Sequence, residues 1–376
     1  MTITTTAQQH PLQPQTASKI SAWTQQVLRG TLFVLCGVLW LYTLIVIGLC
    51  LFVLIDRTNV SWVEFFKTGV LPGLLTVIPA LGLALILRFK WVSLALLFPT
   101  LFIISYYVPF FLPKSVSVPP DAPQITVLSF NILGQSRHAE DLAQIILDSG
   151  ADVVAVQELG VDIEVYLSKA LAQIYPYQAV HPQAGNTNYY RGQGVYSRVP
   201  IVEDDYWQYD DFPIFRWGRW KMFPSHGHQR VVLDLDGQAV VLYNTHLWPA
   251  INWGGGWNFT ANDLEDYGHS EAAQRLVERT SQETLPLIWV GDFNMSDQFN
   301  EYGDITAYLT DSFRESGYGM GYTYPARGFD PFPALMRLDY VFHSDHLRSL
   351  NTRVLGDSGY SDHFPVISTL ALVGEG

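Results

Sequence analysis

Eight polar side chains stand where apolar runs of this chain stop or start: Asn131, Glu158, His246, Asp292, Asn294, Asp339, Asp362 and His363. Carboxylates suit a hard divalent cation that keeps several of its waters. A cation and nearby hydrogen-bond donors stabilise charge on phosphoryl oxygens, and a histidine can take a proton from water. Taken together, these residue types could cleave a phosphate ester. Taken singly, each has a plainer reading. Asn131 could shape a turn, Glu158 could be a solvated strand end, Asp292 could cap a turn before Asn294, and either histidine could be structural. Arg230 and Arg337 are further candidates for phosphate contact, weighed against surface ion pairing.

The elements that must position these groups are legible as runs. ITVLSFNIL (125–133) reads as a strand closed by Asn131. HAEDLAQIILDSG (138–150) repeats apolar residues at three and four, which predicts a helix. DVVAVQEL (152–159) is a buried strand that ends at Glu158, so strand, helix and strand open the domain and part of its sheet is not antiparallel. RVVLDLDG (230–237) and QAVVLYNTHL (238–247) predict a hairpin that delivers His246. A polar helical run, SEAAQRLVERTSQE (270–283), precedes PLIWVGDFN (286–294), and LDYVFHS (338–344) and SDHFPVISTLAL (361–372) follow. Rigid strand ends can gather such groups at one rim of a sheet.

The tetrapeptide-scale motifs SFNI, QEL, NTHL, GDFN, LDYVF and SDHFP occur here in the order seen in the endonuclease/exonuclease/phosphatase superfamily, and residues 125–372 resemble that DNase I-like family. The resemblance implies an α+β fold, a four-layer α/β/β/α sandwich, and hydrolysis by in-line attack of water with no covalent enzyme intermediate. It implies Mg²⁺ as cofactor, with Mn²⁺ as the alternative. Carried over by motif, Glu158 resembles the main metal ligand, with Asn131 beside it, and Asp362 completes the metal shell or a second one. His363 resembles the general base, oriented by Asp339. Asp292 resembles the group that positions the water, Asn294 the amide that contacts phosphate, and His246 a phosphate-stabilising donor or general-acid helper.

Upstream, the composition changes. Residues 31–55 form an uncharged run of 25, enough for a helix of about 37 Å. Residues 69–87 and 91–112 are two more such runs. Pro72, Pro79, Pro99 and Pro109 interrupt them, which neighbouring spans tolerate. The expected organisation is a disordered tail (1–28), a membrane domain of three transmembrane helices (29–112), a Pro-rich linker (113–124) and a catalytic domain (125–376). Lys19, Arg29, Arg88 and Lys90 would share the cytoplasmic side, against Arg57, Lys67 and Lys114. That bias predicts a multi-pass protein of the cell membrane with its catalytic domain outside. Cys36 and Cys50, both in the first run, read as packing residues, and the catalytic domain needs no disulfide.

Charge narrows the partners. Beyond residue 115 the chain has 15 basic against 33 acidic residues, a net of −18. That sign disfavours nucleic acid, whose affinity rests on phosphate neutralisation. Arg216, Arg219 and Lys221 are the one tight basic cluster. Two aromatic segments, 206–224 and 248–259, bring Trp253, Trp257 and Phe259 near His246 in sequence, where they could meet lipid or an apolar substrate tail. The expected partners are membrane lipid and a small-molecule or lipid phosphate; no protein partner is inferable. The alternatives are an extracytoplasmic nuclease and a catalytically inactive binding module. Three spans followed by this domain are also similar in architecture to bacterial membrane proteins of the superfamily.

Overall fold

The structure, a computed structural model, describes residues 15–56, 61–134, 138–183, 192–209, 212–216, 219–223, 226–250, 268–326 and 333–374. Contacts divide the chain after Asp56, after Gly69 and after Tyr106. One compact unit holds the chain up to Asp56 with Val70–Tyr106, and the other holds the segment ending at Gly69 with everything from Tyr107.

In the first unit, α1 (Gln15–Ile55) is one continuous helix. The helix α2 (Ser61–Gly73), whose residues up to Gly69 belong to the second unit, runs through a 3₁₀ turn at Leu74–Thr76 into α3 (Val77–Ile86), and α4 (Lys90–Tyr107) follows. Three stretches are long and apolar enough to cross a membrane: Ala22–Ile55, Val63–Ile86 and Lys90–Phe111. The expected disordered tail is corrected from Gln15 onward, because the helix extends there. QTASKISAWTQQVLRG contains no proline, its first glycine is Gly30, and its residues are mostly fair helix formers, so an already nucleated helix propagates backward at little cost.

The second unit contains β1 (Gln124–Asn131), α5 (Ala139–Ser149), β2 (Val153–Gln157), α6 (Val161–Leu171), β3 (Tyr177–His181), β4 (Gln193–Ser197), β5 (Ile201–Trp207), β6 (Phe212–Arg216), β7 (Arg219–Phe223), β8 (His228–Leu235) and β9 (Gln238–His246). There follow α7 (His269–Thr280), β10 (Leu287–Asp292), α8 (Asn300–Thr306), β11 (Thr310–Asp311), α9 (Ser312–Ser316), β12 (Asp339–His343), β13 (Leu347–Val354) and β14 (Val366–Leu372). One six-stranded sheet has the order β13-β14-β1-β2-β4-β3, the other β11-β12-β10-β9-β8-β5, and β6 and β7 form a separate pair. β1 and β2 run parallel, as do β9 and β10, so both sheets are mixed.

The side-chain alternation explains the layering. Ile125 and Val127 of β1 join Val231, Leu242, Ile288 and Val341 in a core between the sheets. Leu128 and Phe130 face the other way, against α5 and α6. On the second sheet, Val241 and Trp289 pack under α7 and α8. Strands covered on both faces read as near-continuous apolar runs, as β1, β2 and β10 do. The result is the α/β/β/α sandwich. The β8–β9 hairpin closes on Asp236 and Gly237, both with positive φ (56° and 88°), the backbone that a two-residue type I′ turn requires.

Two boundaries differ from the sequence reading. Residues 61–69 and 107–112, expected in the membrane domain, belong to the second unit. The linker is also more than a spacer, since Lys114 Nζ donates to the carbonyls of Phe313 (3.4 Å) and Arg314 (2.8 Å).

Candidate active site

Strand register assembles the site. On the first sheet Asn131 pairs with Gln157, the residue before Glu158. On the second, Asp292 stands level with His246 on one side and Asp339 on the other. β12 is antiparallel to β10, so its first residue meets the last residue of β10. A polar pin holds the two rims together: Gln157 Nε2 donates to Asn244 Oδ1 at 2.8 Å, and Asn244 Nδ2 donates to the Val156 carbonyl at 3.0 Å. Gly291 lets β10 approach β9, since a Cβ there would lie 1.9 Å from the Thr245 carbonyl oxygen. Glu158 and Asn294 both adopt positive φ (59° and 49°), a cost that non-glycine residues bear where the surrounding structure dictates side-chain aim.

All eight residues singled out from the sequence lie at this rim. Asn131 Nδ2 bridges two carboxylates, donating to Glu158 Oε1 at 3.0 Å and Asp292 Oδ2 at 2.9 Å. The Asn294 amide N–H donates to Asp292 Oδ1 at 2.9 Å. Asn294 Nδ2 donates to the Leu247 carbonyl at 2.9 Å and approaches His246 Nε2 at 3.2 Å. His363 Nδ1 binds Asp339 Oδ2 at 2.8 Å, which leaves Nε2 facing Asp292 Oδ2 at 3.6 Å. Ser361 locks the two halves: its hydroxyl donates to the Asn131 carbonyl at 2.7 Å and accepts from the His363 amide at 3.2 Å. Among the described residues Asp362 makes no such side-chain bond, and its Oδ1 is buried without a hydrogen-bond partner.

The electrostatics follow from burial and crowding. Burial, with Asp362 nearby, pushes Glu158 up to about 7. Burial pushes Asp292 up as well, helped by Asp339 and opposed by His363. Burial would lower His363, but Asp339 and Asp292 outweigh it and hold the imidazole well above its usual value. His246 goes the opposite way, lowered by burial and by the neighbouring histidines, so it is a neutral ring.

These residues fit a divalent cation. Four carboxylates converge, and among the described residues none of them pairs with a Lys or Arg. Asp339 Oδ1 and Asp362 Oδ1 are buried and lack partners among the described residues. Ligand atoms of Asp292, Asp339 and His363 all lie within 4.8 Å of one another and could hold an ion. That trio differs from the expected ligand set of Glu158, Asn131 and Asp362, although Asn131 links Glu158 directly to Asp292.

Sequence reasoning missed several neighbours. The His226 ring lies 3.9 Å from that of His246, tilted by 40°, and stacks on Trp248 (4.4 Å). The Tyr324 ring lies 4.9 Å from that of His363. Arg337 and Arg230 do not serve the site: Arg337 binds Asp311 at 2.6 and 3.1 Å, and Arg230 binds Glu283 at 2.9 Å and Glu203 at 3.0 Å. Trp253, Trp257 and Phe259 lie outside the described residues, as do the side chains of Arg216, Arg219 and Lys221.

The model of the Endonuclease/Exonuclease/phosphatase family matches residues 128–363. Among solved structures, the chain is similar to an endonuclease/exonuclease/phosphatase family protein from Bacteroides thetaiotaomicron, at 20% identity and TM-score 0.50 over 67% of this chain and 99% of that one. An endonuclease/exonuclease/phosphatase from Beutenbergia cavernae matches at 20% identity and TM-score 0.50, over 67% of this chain and 72% of that one. A mannosyl-6-phosphatase from Bacteroides thetaiotaomicron matches at 20% identity and TM-score 0.48, over 66% of this chain and 100% of that one. No curated protein sequence matches.

Proposed function

The chain belongs to the endonuclease/exonuclease/phosphatase family of metal-dependent phosphoesterases, and from that premise we propose that it is a membrane-anchored enzyme that uses Mg²⁺ to hydrolyse a lipid-linked phosphate ester. The observation that carries the chemistry is the joined constellation of Glu158, Asn131, Asp292 and the His363–Asp339 pair. Glu158, Asn131 and Asp362, with Asp292 adjoining, would hold the cation. When bound, it would neutralise charge on the phosphoryl oxygens and, by opposing the imidazolium, return His363 to its base form.

The residues of the chain do the rest. Asp339 fixes the His363 ring through Nδ1, so Nε2 is the atom that receives a proton from water. Asp292, 3.6 Å from that nitrogen, holds the water in line with the ester. Asn294 and the neutral His246 offer N–H groups to the phosphate oxygens. With few basic side chains at the site, phosphate affinity depends on the cation, which suits a substrate that is already concentrated at a surface.

Three features support a lipid substrate over a nucleic acid: the three membrane-crossing stretches, the −18 charge beyond residue 115, and the absence of an Arg or Lys on the site's carboxylates among the described residues. The Lys and Arg bias around the spans supports a catalytic domain outside the cytoplasm, and activity of reporters fused after Gly376 tests that orientation. The decisive assay takes the detergent-purified chain, with Mg²⁺ and with chelator, against matched lipid phosphomonoesters, phosphodiester lipids and duplex DNA. Lipid phosphate should be cleaved fastest, and only with metal. Faster cleavage of DNA would replace this reading with a nuclease.

A further inference from the structure

The residues just ahead of the second apolar run pack inside the catalytic unit. The helix α2 begins at Ser61, and its Glu64 is 1% exposed. Glu64 Oε1 accepts the Asn300 amide N–H at 3.0 Å, at the start of α8. Phe65 packs in the cluster that also buries Phe293, Met295 and Phe299. Thr68 Oγ1 lies 2.5 Å from Ser296 Oγ and 3.1 Å from the Glu64 carbonyl. The Gln298 amide donates to Ser296 Oγ at 3.2 Å.

These bonds have one consistent polarity. The Glu64 carbonyl can only accept, so Thr68 donates to it. Thr68 Oγ1 then accepts from the Ser296 hydroxyl, and Ser296 Oγ accepts from Gln298. The loop held in this way is 293–300. It carries Asn294, which adopts a positive φ of 49°, and it follows directly on Asp292. Phe293 and Met295, which flank Asn294, are both fully buried in the cluster that receives Phe65.

We infer that residues 64–68 are a positioning element for the Asp292–Asn300 loop, so that turnover depends on the chain segment just ahead of the second uncharged run. Thr68 immediately precedes Gly69, the first residue of that uncharged run. The kinetic side of this inference rests on the roles proposed above for Asp292 and Asn294; its structural side does not. Thr68 and Glu64 act through the loop and touch neither cation nor phosphate. A loosened loop leaves the other site groups in place while misaiming Asn294, which lowers kcat more than it weakens binding.

The test uses the full chain in detergent, a small water-soluble phosphodiester such as bis(p-nitrophenyl) phosphate, Mg²⁺, and amide hydrogen exchange across 293–300. Thr68→Val keeps the shape and removes the hydroxyl; Thr68→Ser restores it. Thr68→Val should lower kcat about tenfold with KM and Mg²⁺ activation little changed, and should speed exchange at 295–300. Thr68→Ser should match the parent in both. Glu64→Ala should speed exchange at Asn300 in particular. An unchanged kcat and exchange in Thr68→Val, or equal damage from Thr68→Ser, overturns the inference. Should the parent chain hydrolyse no phosphate ester, the functional reading fails, and exchange alone then decides whether the segment positions the loop.

Discussion

Arg337 and Asp339 lie two residues apart, are both buried, and each faces an opposite charge, yet they sit in two very different clusters. Arg337 grips Asp311 through two bonds of 2.6 and 3.1 Å. Asp311 also accepts from the Tyr302 hydroxyl (2.9 Å) and from the amides of Phe313 (2.9 Å) and Arg314 (3.2 Å). Burial would raise this carboxyl, but the guanidinium outweighs it and holds it below the usual value. Asp339 binds His363 through one oxygen, while its other oxygen is buried without a partner among the described residues. Glu158 and Asp292 beside it are pushed up towards neutrality. The clamp, which serves only the fold, matches its charges within the chain, although Arg337 Nε is buried without a partner among the described residues. The rim of strand ends is a deficit of positive charge, and such under-satisfied clusters are where chemistry or ligands are to be sought.

The largest effect should separate the two clusters by activity. His363→Ala should reduce turnover by at least about a thousandfold, ~4 kcal/mol of barrier, in a variant that still folds. A variant that keeps more than about a tenth of parental activity would remove His363 from the role of base. The complement is stability. Arg337→Met leaves Asp311 buried without its cation and should cost about 3–5 kcal/mol. Per folded molecule, its turnover should stay near that of the parent. A large loss of turnover in Arg337→Met with an unchanged melt would mean that Arg337 serves the reaction after all.

How much of this contrast could be read beforehand depends on chain separation. The rim residues were legible because each ends or opens a strongly apolar strand, and strand register then brings them together: Asn131 beside Gln157, and Asp292 between His246 and Asp339. The partner of Arg337 was not legible, because Asp311 lies 26 residues away in a short strand without a distinctive pattern. Ser361, His226 and Tyr324 escaped for a similar reason. They are ordinary loop residues until the fold sets them against His246 and His363 or ties them to Asn131. The contact of Thr68 with Ser296 spans 228 residues, and no local pattern around either residue marks it.

A third measurement sharpens the reading of the rim as a charge deficit. A carboxyl whose folded value is raised costs stability at neutral pH, because the folded state must hold an ion it disfavours there. Glu158→Gln should therefore melt at or above the parent in chelator. Adding Mg²⁺ to the parent at about a hundred times its dissociation constant should stabilise it by ~2.7 kcal/mol, and Glu158→Gln should lose most of that gain. Equal Mg²⁺ stabilisation of parent and variant would place the cation away from Glu158.

The smallest effect compares two histidines. His363 is surrounded by carboxylates and held above its usual value, whereas His228 is fully buried between Trp207 and Tyr209, at ring-centre distances of 5.7 and 5.4 Å. Burial, with Arg279 adding to it, lowers His228 to about 3. The sign follows from proton counting. Below the unfolded value near 6.5 the unfolded chain takes up a proton that folded His228 refuses until about pH 3, so acid favours unfolding. This one residue should contribute a loss of about 1.4 kcal/mol per pH unit across that window. His228→Phe fits the same aromatic surroundings and removes the titration. Melting temperatures of parent and variant, taken from pH 6.5 down to 4.5 in chelator, should diverge, with the variant falling less steeply. The rim carboxylates titrate alike in both proteins and cancel in the difference. Parallel curves would mean that His228 accepts its proton in the folded state, and the contrast between an apolar and a charge-lined histidine pocket would fail at that point.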